Sequence, residues 1–514
     1  MILDIKKNLN FLLKEITIVK QRNNSNPTVK GLVYDSRDVK PGFLFFALKG
    51  IHTDGHNFIS TSIKNGASVI IHSDELDEYN SEITYIKVKD CRFVMSPVSA
   101  AFYDYPSKKL KIIGVTGTNG KSTTVSMIYQ LLSMAGFKTG FISTVQFDTG
   151  TGPVKNYYRQ STPEATEIHK ILYEMIQNGC THGVIEATSH GLSIINNRLG
   201  NVKFDGAVFT NISHEHLEFH KTIDKYADDK ANLFRSLDPK TGFGIINLDD
   251  TYSKQFQLAT NADIFSYSID KKNTSMKAEE ITGTGTGNTA DFVVLYNQKK
   301  YKIHLNLPKI FNIENSMAAL LAVIKLTDID ITTFIPLMEK IIPAEGRMIS
   351  VNMGQSFNVM VDYAHSPGSF KLLFPELKKM SKGKLISVFG SAGERDVAKR
   401  KTQGEIADSY SDIIILTDED PRGEDPMEII MDIASGCPNR IKGTDIFYIP
   451  DRKKAISFAF SISKKDDFVI LLGKGHESTI IYKNGSIPWK EKDIAVSILK
   501  EMGYSTGNIK DSNK

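Results

Sequence analysis

Short apolar runs and stretches with helical periodicity alternate along this chain, most clearly around residue 115. The apolar run at 111–116 (KIIGVT) is typical of a buried strand that leads into a glycine-rich turn. Behind the turn, apolar side chains recur at i, i+3, i+4 and i+7, as on one face of a helix: Val125, Ile128, Tyr129 and Leu132. Gly136 follows as a helix stop. The pattern therefore predicts a strand, a turn and a helix in that order.

Further apolar runs predict strands on both sides of this unit. One lies at 43–48, three lie at 183–187, 207–210 and 243–248, and four lie at 359–364, 385–389, 413–417 and 468–472. A stretch rich in threonine and glycine at 281–287 predicts a loop. Strands that alternate with helices are typical of α/β proteins whose mostly parallel sheets are covered by helices.

A length of 514 residues predicts about three domains, since a domain holds roughly 150 residues. We expect a small α/β domain at 1–108, a central domain with a mostly parallel sheet at 109–344, and a doubly wound, Rossmann-like domain at 345–514.

Composition narrows the class of protein. Hydrophobic residues make up 41% and charged residues 24%, which is ordinary for a globular protein and excludes disordered and fibrous classes. The net charge is +4 without a basic block, so we expect neither nucleic acid nor a membrane as a partner. Three scattered cysteines, no apolar leader and no run of about 20 apolar residues predict a cytoplasmic protein with reduced thiols.

The strongest local signal is the segment 114–122 (GVTGTNGKS) between the predicted strand and helix. Backbone N–H groups of such a turn and of the helix start form a cradle for phosphate. Lys121 is placed to contact the β- and γ-phosphates of ATP, and Ser122 to reach Mg²⁺. The strict phosphate-loop pattern has glycine where this chain has Val115. The order of strand, turn and helix nevertheless predicts an ATP and magnesium site.

Polar side chains also follow the next predicted strands. Glu186 closes one strand, and a histidine-rich segment with His216 closes another. Ligands bind at the carboxyl ends of strands in open parallel sheets. A carboxylate and an imidazole at this edge could hold a metal ion beside the phosphates. Asn247 ends a third strand and could contact a nucleoside.

Taken in order, these and other segments resemble the Mur ligase family over nearly the whole chain. They are 35–37 (DSR), 116–124 (TGTNGKSTT), 186–192 (EATSHGL), 210–220 (TNISHEHLEFH), 247–250 (NLDD), 311–315 (FNIEN), 346–348 (GRM), 362–365 (DYAH) and 473–477 (GKGHE). The first and the last two of these resemble the branch of the family that adds the third residue of the peptidoglycan stem peptide.

The resemblance implies a cytoplasmic, monomeric ATP-dependent ligase of peptidoglycan synthesis, and hence of cell-wall biogenesis, cell shape and division. It would join a free amino acid to the D-glutamate of UDP-N-acetylmuramoyl-L-alanyl-D-glutamate through an acyl phosphate, with ATP and Mg²⁺. The first domain would bind the uridine nucleotide, the second ATP and the third the amino acid.

The family pattern also implies roles for individual residues. Catalysis would involve Lys121, Glu186, His216 and a carbamylated Lys230, and the metal ligands would be Ser122, Glu186, His216 and Lys230. ATP would contact Gly117, Thr118, Asn119, Gly120, Lys121, Ser122, Thr123, Asn247, Asn312, Asn315, Arg347 and Asp362. The UDP-substrate would contact Tyr34, Ser36, Ser161, Thr162, Thr188 and Arg198. The amino acid would contact Arg395, Glu419, Asp420, Pro421, Arg422, Gly473 and Glu477.

The chain departs from the family pattern at informative places. Glu215 stands for the usual aspartate, Lys309 for a glycine, and Ile349 for a glutamate. The segment 419–422 reads EDPR, where members that add meso-diaminopimelate carry Asp-Asn-Pro-Arg. Asp420 thus replaces a neutral amide with an anion, which repels a distal carboxylate and attracts a distal ammonium. We hypothesise a diamino acid such as lysine or ornithine, although Arg422 favours meso-diaminopimelate.

Three other interpretations stay open from the sequence. The folate-extending glutamate ligase shares the phosphate loop and the domain order, but 35–37 (DSR) and the predicted first domain disfavour it. A phosphate-loop ATPase that drives a conformational switch would need no amino-acid pocket. An inactive binding module is disfavoured by the presence of Lys121, Ser122 and Glu186.

Overall fold

The computed structural model of the protein describes residues 5–23, 25–50, 53–158, 160–213, 215, 217–283, 289–344 and 348–505, with the backbone alone at 217 and 218. Three sheets, one after another along the chain, define an N-terminal, a central and a C-terminal domain.

The N-terminal domain is built on a five-stranded sheet with the order β2-β7-β6-β5-β4. Strands β4 to β7 are parallel and β2 is antiparallel to β7. Its elements are β1 (Lys7–Asn8), α1 (Leu9–Leu12), β2 (Lys20–Arg22), β3 (Thr28–Val29), β4 (Gly31–Val33), β5 (Phe43–Phe46), α2 (Ile59–Lys64), β6 (Ala67–His72), β7 (Thr84–Lys87) and α3 (Cys91–Phe102).

The central domain contains an eleven-stranded sheet with the order β11-β10-β9-β12-β8-β13-β14-β15-β16-β17-β18. The strands are β8 (Lys111–Thr116), β9 (Thr139–Ile142), β10 (Gln146–Asp148), β11 (Val154–Lys155), β12 (His182–Glu186), β13 (Gly206–Phe209), β14 (Phe243–Asn247), β15 (Asp263–Ser268), β16 (Met276–Thr282), β17 (Ala290–Tyr296) and β18 (Lys299–Leu305). The helices are α4 (Lys121–Met134), α5 (Ala165–Gln177), α6 (Ser189–Leu192), α7 (Leu217–His220), α8 (Ile223–Arg235), α9 (Ser253–Leu258), α10 (Ile310–Thr327) and α11 (Ile331–Met338).

The seven strands from β9 to β16 in this sheet order are parallel, and antiparallel strands extend both edges. Helix α10 packs against α4 and β14 in the core. By length and composition alone α10 could cross a membrane, but 67% of its residues are buried inside the protein. Its apolar character is therefore explained by its place in the core.

The C-terminal domain has a six-stranded sheet with the order β19-β20-β24-β21-β22-β23, parallel except for β19. Its strands are β19 (Ile349–Ser350), β20 (Asn358–Asp362), β21 (Leu385–Phe389), β22 (Ile413–Leu416), β23 (Ile446–Tyr448), β24 (Phe468–Leu472) and a separate hairpin, β25 (Thr479–Tyr482) with β26 (Gly485–Pro488). Its helices are α12 (Pro367–Met380), α13 (Ala398–Tyr410), α14 (Pro426–Ala434), α15 (Arg452–Ile462) and α16 (Glu491–Glu501).

The predicted fold class, a three-domain α/β protein, is confirmed, and the exact domain limits stay predictions. Strands β8, β21 and β24 have the predicted bounds. The loop prediction at 281–287 is partly wrong, because Ile281 and Thr282 continue strand β16, while 284–287 lie outside the described residues. The antiparallel strands β17 and β18 were not predicted. In β16 and β18 polar residues alternate with buried ones, so these two strands lack a continuous apolar run, whereas β17 has one at 292–296 that was not used for a prediction.

Candidate active site

The phosphate loop lies between β8 and α4, as predicted. Gly117 and Gly120 have φ values of 143° and 84°, which side chains disfavour. An added Cβ would lie 1.9 Å from Thr210 Oγ1 at Gly117 and 2.3 Å from Asn315 Oδ1 at Gly120. Both positions therefore require glycine. The loop exposes the N-terminus of α4, where backbone N–H groups favour an anion.

Glu186 lies at the end of β12 and is buried beside this loop. Its Oε2 accepts hydrogen bonds from Ser122 Oγ (2.8 Å), Ser143 Oγ (2.9 Å) and the backbone N–H of Thr144 (3.0 Å). Burial alone would raise the pKa of this carboxyl, but the charge of Lys121 and the hydrogen bonds from Thr144 and Ser122 outweigh burial and lower it. Glu186 is therefore an anion aimed at the phosphate loop.

Lys230, from helix α8, reaches the same loop from the other side. Its side chain is buried, its Nζ donates to the Gly117 carbonyl at 2.6 Å, and it lies 4.5 Å from the centre of the Tyr226 ring. Burial, with the charge of Lys121 second, lowers the pKa of the Lys230 amine well below its usual value. A buried lysine at a phosphate loop is thus not the solvated surface residue that lysine usually is.

The histidine-rich segment is only partly described. His216, together with His214, lies outside the described residues. His220 is buried, with Nδ1 2.8 Å from Asp229 Oδ2 and Nε2 2.9 Å from Ser189 Oγ. Both of its ring nitrogens are thus engaged within the protein, which indicates a structural role.

The predicted contacts to the muramoyl-dipeptide form a connected group. Thr162 Oγ1 accepts from Thr188 and donates to the Glu186 carbonyl at 2.8 Å. Arg198 donates to the Thr162 carbonyl at 3.1 Å and to Glu164 Oε1 at 2.8 Å. Ser161 and these side chains line one cleft, which is also lined by the phosphate loop. This group is therefore hydrogen-bonded to the backbone of Glu186, whose carboxylate lies beside the phosphate loop.

Two predicted contacts to the UDP-substrate belong to the N-terminal domain. Tyr34 and Ser36 are not among the described residues that line the cleft. Ser36 is buried, and its carbonyl accepts from Asn65 at 2.9 Å. Burial, with Glu167 next, raises the pKa of the Tyr34 phenol. Burial also raises the pKa of Glu167 to about 7.

The other described residues that were predicted to contact ATP line the same cleft as the phosphate loop. Asn247 Nδ2 donates to the Thr210 carbonyl at 3.0 Å, and Asn312 Nδ2 donates to the Pro308 carbonyl at 2.6 Å. Asp362 accepts from the backbone N–H groups of Met348 (2.8 Å) and Ala364 (2.7 Å). Arg347 lies outside the described residues. Asn315 of α10 accepts a hydrogen bond from Thr124 Oγ1 of α4 through its Oδ1, at 3.3 Å. Helix α10 is therefore bound to the helix that follows the phosphate loop.

The predicted amino-acid site lies where β22 and β24 end. Asp420 Oδ1 accepts from Lys474 Nζ at 2.8 Å and from the backbone N–H of Ile481 at 2.9 Å. Lys474 is fully buried and also forms an ion pair with Glu477. The charge of Asp420 is therefore already balanced within the protein. This changes the argument from the sequence, in which Asp420 was available to a distal ammonium.

Glu419 is the second acidic residue of this site. Its side chain is buried, and its Oε2 has no hydrogen-bond partner among the described residues. Burial raises its pKa to about 7. Burial also raises the pKa of Glu477. Arg395 and Arg422 line the same part of the cleft.

One cleft of about 2170 Å³ brings together the groups of the central and C-terminal domains, and Lys49, Gly50 and Arg92 of the N-terminal domain also line it. Of the described residues predicted for the site, most line it: Thr118, Asn119, Gly120, Lys121, Ser122, Thr123, Ser161, Thr162, Glu186, Thr188, Arg198, Lys230, Asn247, Asn312, Asn315, Asp362, Arg395, Glu419, Asp420, Arg422 and Glu477. Gly117, Pro421 and Gly473 lie beside lining residues without lining the cleft themselves. Sequence reasoning missed Ser143, Thr144 and Glu164, which lie outside the motifs, and it assigned no role to Lys474, although this residue lies within the motif 473–477.

Comparisons with known proteins agree with this geometry. Family models match at 28–102 (Mur ligase family, catalytic domain), 115–323 (Mur ligase middle domain) and 346–475 (Mur ligase, glutamate ligase domain). A UDP-N-acetylmuramyl-tripeptide synthetase of Borreliella afzelii is 51% identical over 91% of this chain and 92% of its own length. A UDP-N-acetylmuramoyl-L-alanyl-D-glutamate--2,6-diaminopimelate ligase of Clostridium tetani is 36% identical over 96% of this chain and 99% of its own.

A solved structure supports the same assignment. The structure of a UDP-N-acetylmuramoyl-L-alanyl-D-glutamate--2,6-diaminopimelate ligase superposes with a TM-score of 0.65 at 27% identity, and covers 98% of this chain and 100% of that one. The predicted ligase is thereby confirmed over the ATPase switch and the inactive module. With the phosphate loop, the paired carboxylate and lysine, and full-length relatives in agreement, the chain belongs to the Mur ligase family of ATP-dependent ligases.

Proposed function

We propose that this protein joins a diamino acid to the D-glutamate carboxyl group of UDP-N-acetylmuramoyl-L-alanyl-D-glutamate, with conversion of ATP to ADP and phosphate. The observation that carries the proposal is a single cleft that holds a phosphate loop, the Thr162–Arg198 group and the acidic pocket around Glu419. Relatives that match over almost their whole length are named as ligases of the same class. We place the reaction in the cytoplasm.

The chemistry requires activation, because a carboxylate is a poor acyl donor. Transfer of the γ-phosphoryl group to the D-glutamate carboxylate gives an acyl phosphate. The transferring group spreads negative charge over its oxygens, and Lys121 at the start of α4 is placed to stabilise that charge. The substrate amine then attacks the acyl carbon, and the tetrahedral intermediate expels phosphate. Enclosure by three domains would exclude water, which otherwise hydrolyses the acyl phosphate.

The donor set beside the loop fits a magnesium ion. Ser122 Oγ and ionised Glu186 are hard oxygen ligands in direct contact with each other, 2.8 Å apart. These two residues, with His216 and Lys230 by the family pattern, would hold Mg²⁺. When bound, the ion would neutralise charge on the phosphate oxygens and orient them.

Lys230 fits the proposed carbamylation. A neutral amine is the form that adds CO₂, and burial, with the charge of Lys121 second, favours that form of Lys230. Carbamylation would replace a cation with an anion close to Glu186 and the phosphates. Incubation with ¹³C-bicarbonate should give a carbamate carbon resonance in the wild type and none in Lys230→Ala. A spectrum without that resonance in the wild type, at saturating bicarbonate, would refute carbamylation.

The acidic pocket favours lysine or ornithine over meso-diaminopimelate. Lys474 pairs with both Asp420 and Glu477, which leaves Glu419 as the carboxyl group of the pocket whose Oε2 has no hydrogen-bond partner among the described residues. A distal ammonium would pair with such a carboxylate, while a second carboxylate would meet it unfavourably. Arg395 and Arg422 can both bind the α-carboxylate of the substrate, since a guanidinium group donates two parallel N–H···O hydrogen bonds to a carboxylate.

The test is phosphate release by the purified protein with ATP, Mg²⁺ and UDP-N-acetylmuramoyl-L-alanyl-D-glutamate. Lysine, ornithine and meso-diaminopimelate are supplied one at a time. Release that needs both the nucleotide-peptide and lysine or ornithine supports the proposal. A clear preference for meso-diaminopimelate would refute the choice of amino acid, and release that ignores both substrates would refute the ligase.

A further inference from the structure

Arg452 ties together the two strand ends that carry the acidic pocket. It is the first residue of α15 and is almost completely buried. Its Nη1 donates to the Asp418 carbonyl at 2.8 Å, and its Nη2 donates to the Leu472 carbonyl at 2.6 Å. Asp418 directly precedes Glu419, and Leu472 directly precedes Gly473. One guanidinium group therefore binds the backbone directly before Glu419 and directly before Gly473.

The two strands cannot set this spacing by pairing, because β21 lies between β22 and β24 in the sheet. Gly390 follows β21 and leaves room at this point, since an added Cβ would lie 2.2 Å from the Thr417 carbonyl. Arg452 instead connects Asp418, which follows β22, with Leu472, the last residue of β24. Its fork geometry is suited to two carbonyls and a carboxylate at once, which a lysine ammonium on a flexible stem does not reproduce.

The charge of Arg452 is balanced by Glu491, the first residue of α16. Arg452 Nε lies 3.1 and 3.0 Å from the two Glu491 carboxylate oxygens, and Nη2 lies 2.6 Å from Oε1. Both side chains are 0% exposed. Trp489 Nε1 donates to the same carboxylate, and its backbone N–H donates to the Ser478 carbonyl at 2.7 Å, next to Glu477. The network thus reaches the pocket by three routes.

We propose that Arg452 is a positioning residue for the amino-acid substrate: without touching it, Arg452 holds Glu419 and Glu477 at the separation that the substrate requires. The proposal rests on the proposed function for the identity of the ligand. It predicts that loss of the guanidinium group weakens use of the amino acid selectively, with ATP and the nucleotide-peptide bound elsewhere in the cleft.

The chain offers a matched control at the opposite end of the same strand. Arg440 Nη1 and Nη2 donate to the Asp412 (3.1 Å) and Ser411 (2.6 Å) carbonyls just before β22, and its Nε donates to Asp408 at 2.6 Å. Arg452→Lys and Arg440→Lys therefore make the same chemical change at the carboxyl and amino ends of β22. Comparison of the two separates positioning of the pocket from stability of the domain.

The first measurement is the KM for each of the three substrates, with thermal unfolding of each variant as a reference. Arg452→Lys should raise the KM for the amino acid by about tenfold or more and leave the KM for ATP and for the nucleotide-peptide within about twofold. Arg440→Lys should leave all three KM values unchanged at a similar loss of thermal stability. Glu491→Gln keeps the shape of the partner and should act in the direction of Arg452→Lys, so it replaces that variant if Arg452→Lys does not fold.

The second measurement is independent of activity. Trp489 is the only tryptophan of the chain, so its fluorescence reports on this network alone. Its emission should shift in Arg452→Lys and Glu491→Gln and not in Arg440→Lys. Equal stability losses with an unchanged amino-acid KM in Arg452→Lys and Glu491→Gln would overturn the positioning role and leave the proposed function intact. A wild-type protein with a normal Trp489 signal that ignores every amino acid would instead overturn the proposed function, and the ligand assigned here with it.

Discussion

Glu419→Gln should stabilise the C-terminal domain at alkaline pH while it impairs use of the amino acid. Glu419 is buried against Gly473, where an added Cβ would lie 2.7 Å from its Oε2. Burial raises the pKa of its carboxyl from 4.5 to about 7. The folded protein therefore keeps a proton on Glu419 at pH values where the unfolded chain has lost it.

The sign follows from linkage. Between pH 4.5 and about 7 the native state binds more protons at Glu419 than the unfolded state, so this residue lowers stability as the pH rises. A pKa that differs by this amount corresponds to about 3 kcal/mol once both states are ionised. Glutamine has nearly the same shape and no such cost. The variant should gain up to about 3 kcal/mol over the wild type above pH 7.5 and little near pH 4.5.

Urea unfolding followed by Trp489 fluorescence measures this domain specifically, because the single tryptophan lies beside α16. The free energy of unfolding is compared at pH 5 and pH 8. Glu428→Gln makes the same change at an exposed position of α14 and should show no difference. If Glu419→Gln and wild type have the same stability at pH 8, or the gain is equal at both pH values, then Glu419 is not a buried carboxyl held protonated by its surroundings.

Three further substitutions test the phosphate loop and one unusual backbone position. Gly117→Ala should lower ATP-dependent phosphate release by about 100-fold or more, because the added Cβ would lie 1.9 Å from Thr210 Oγ1. The control Gly183→Ala should stay active, because the atom nearest to its added Cβ is 3.6 Å away. Lys121→Met should lower kcat by about 10² to 10³, and Lys138→Met, at an exposed position, should leave kcat unchanged. Lys309→Gly should not lower the Tm, since a lysine at φ 92° bears about 1–3 kcal/mol of backbone strain. A fall of several degrees would show that the ion pair between Lys309 Nζ and Glu376 Oε2, 3.6 Å apart, outweighs that strain.

The parts of the site that the sequence predicted are those set by neighbours in the chain. One short motif predicts strand β8, the turn with Gly117 and Gly120, and helix α4. The structure contains all three in that order. Glu186 was predicted to lie beside the loop because strand ends of a parallel sheet share one edge. Adjacent parallel pairing of β12 and β8 provides that juxtaposition.

The parts that could not be predicted depend on contacts between distant segments. Thr144 contacts Glu186 from the turn after β9, and Lys474 contacts Asp420 across 54 positions of the chain. A charge argument from the sequence treats Asp420 as available because its partner is not adjacent. The unusual backbone of Lys309 had a signal, since the family places glycine there and the structure shows a positive φ at that residue.

The pKa values of Glu186 and Glu419, which lie at the two ends of the cleft, are shifted in opposite directions, and the reason lies in their partners. At the phosphate end, Lys121 and four hydrogen-bond donors outweigh burial, so the pKa of Glu186 is lowered and the group is an anion at the proposed metal site. At the amino-acid end, Lys474 is committed to Asp420 and Glu477, and burial dominates at Glu419, whose pKa rises. A cationic substrate would supply the missing partner and favour ionisation there. The raised pKa limits the cost of a buried Glu419 anion in the empty pocket, and the proposed substrate ammonium would offset that cost when it binds.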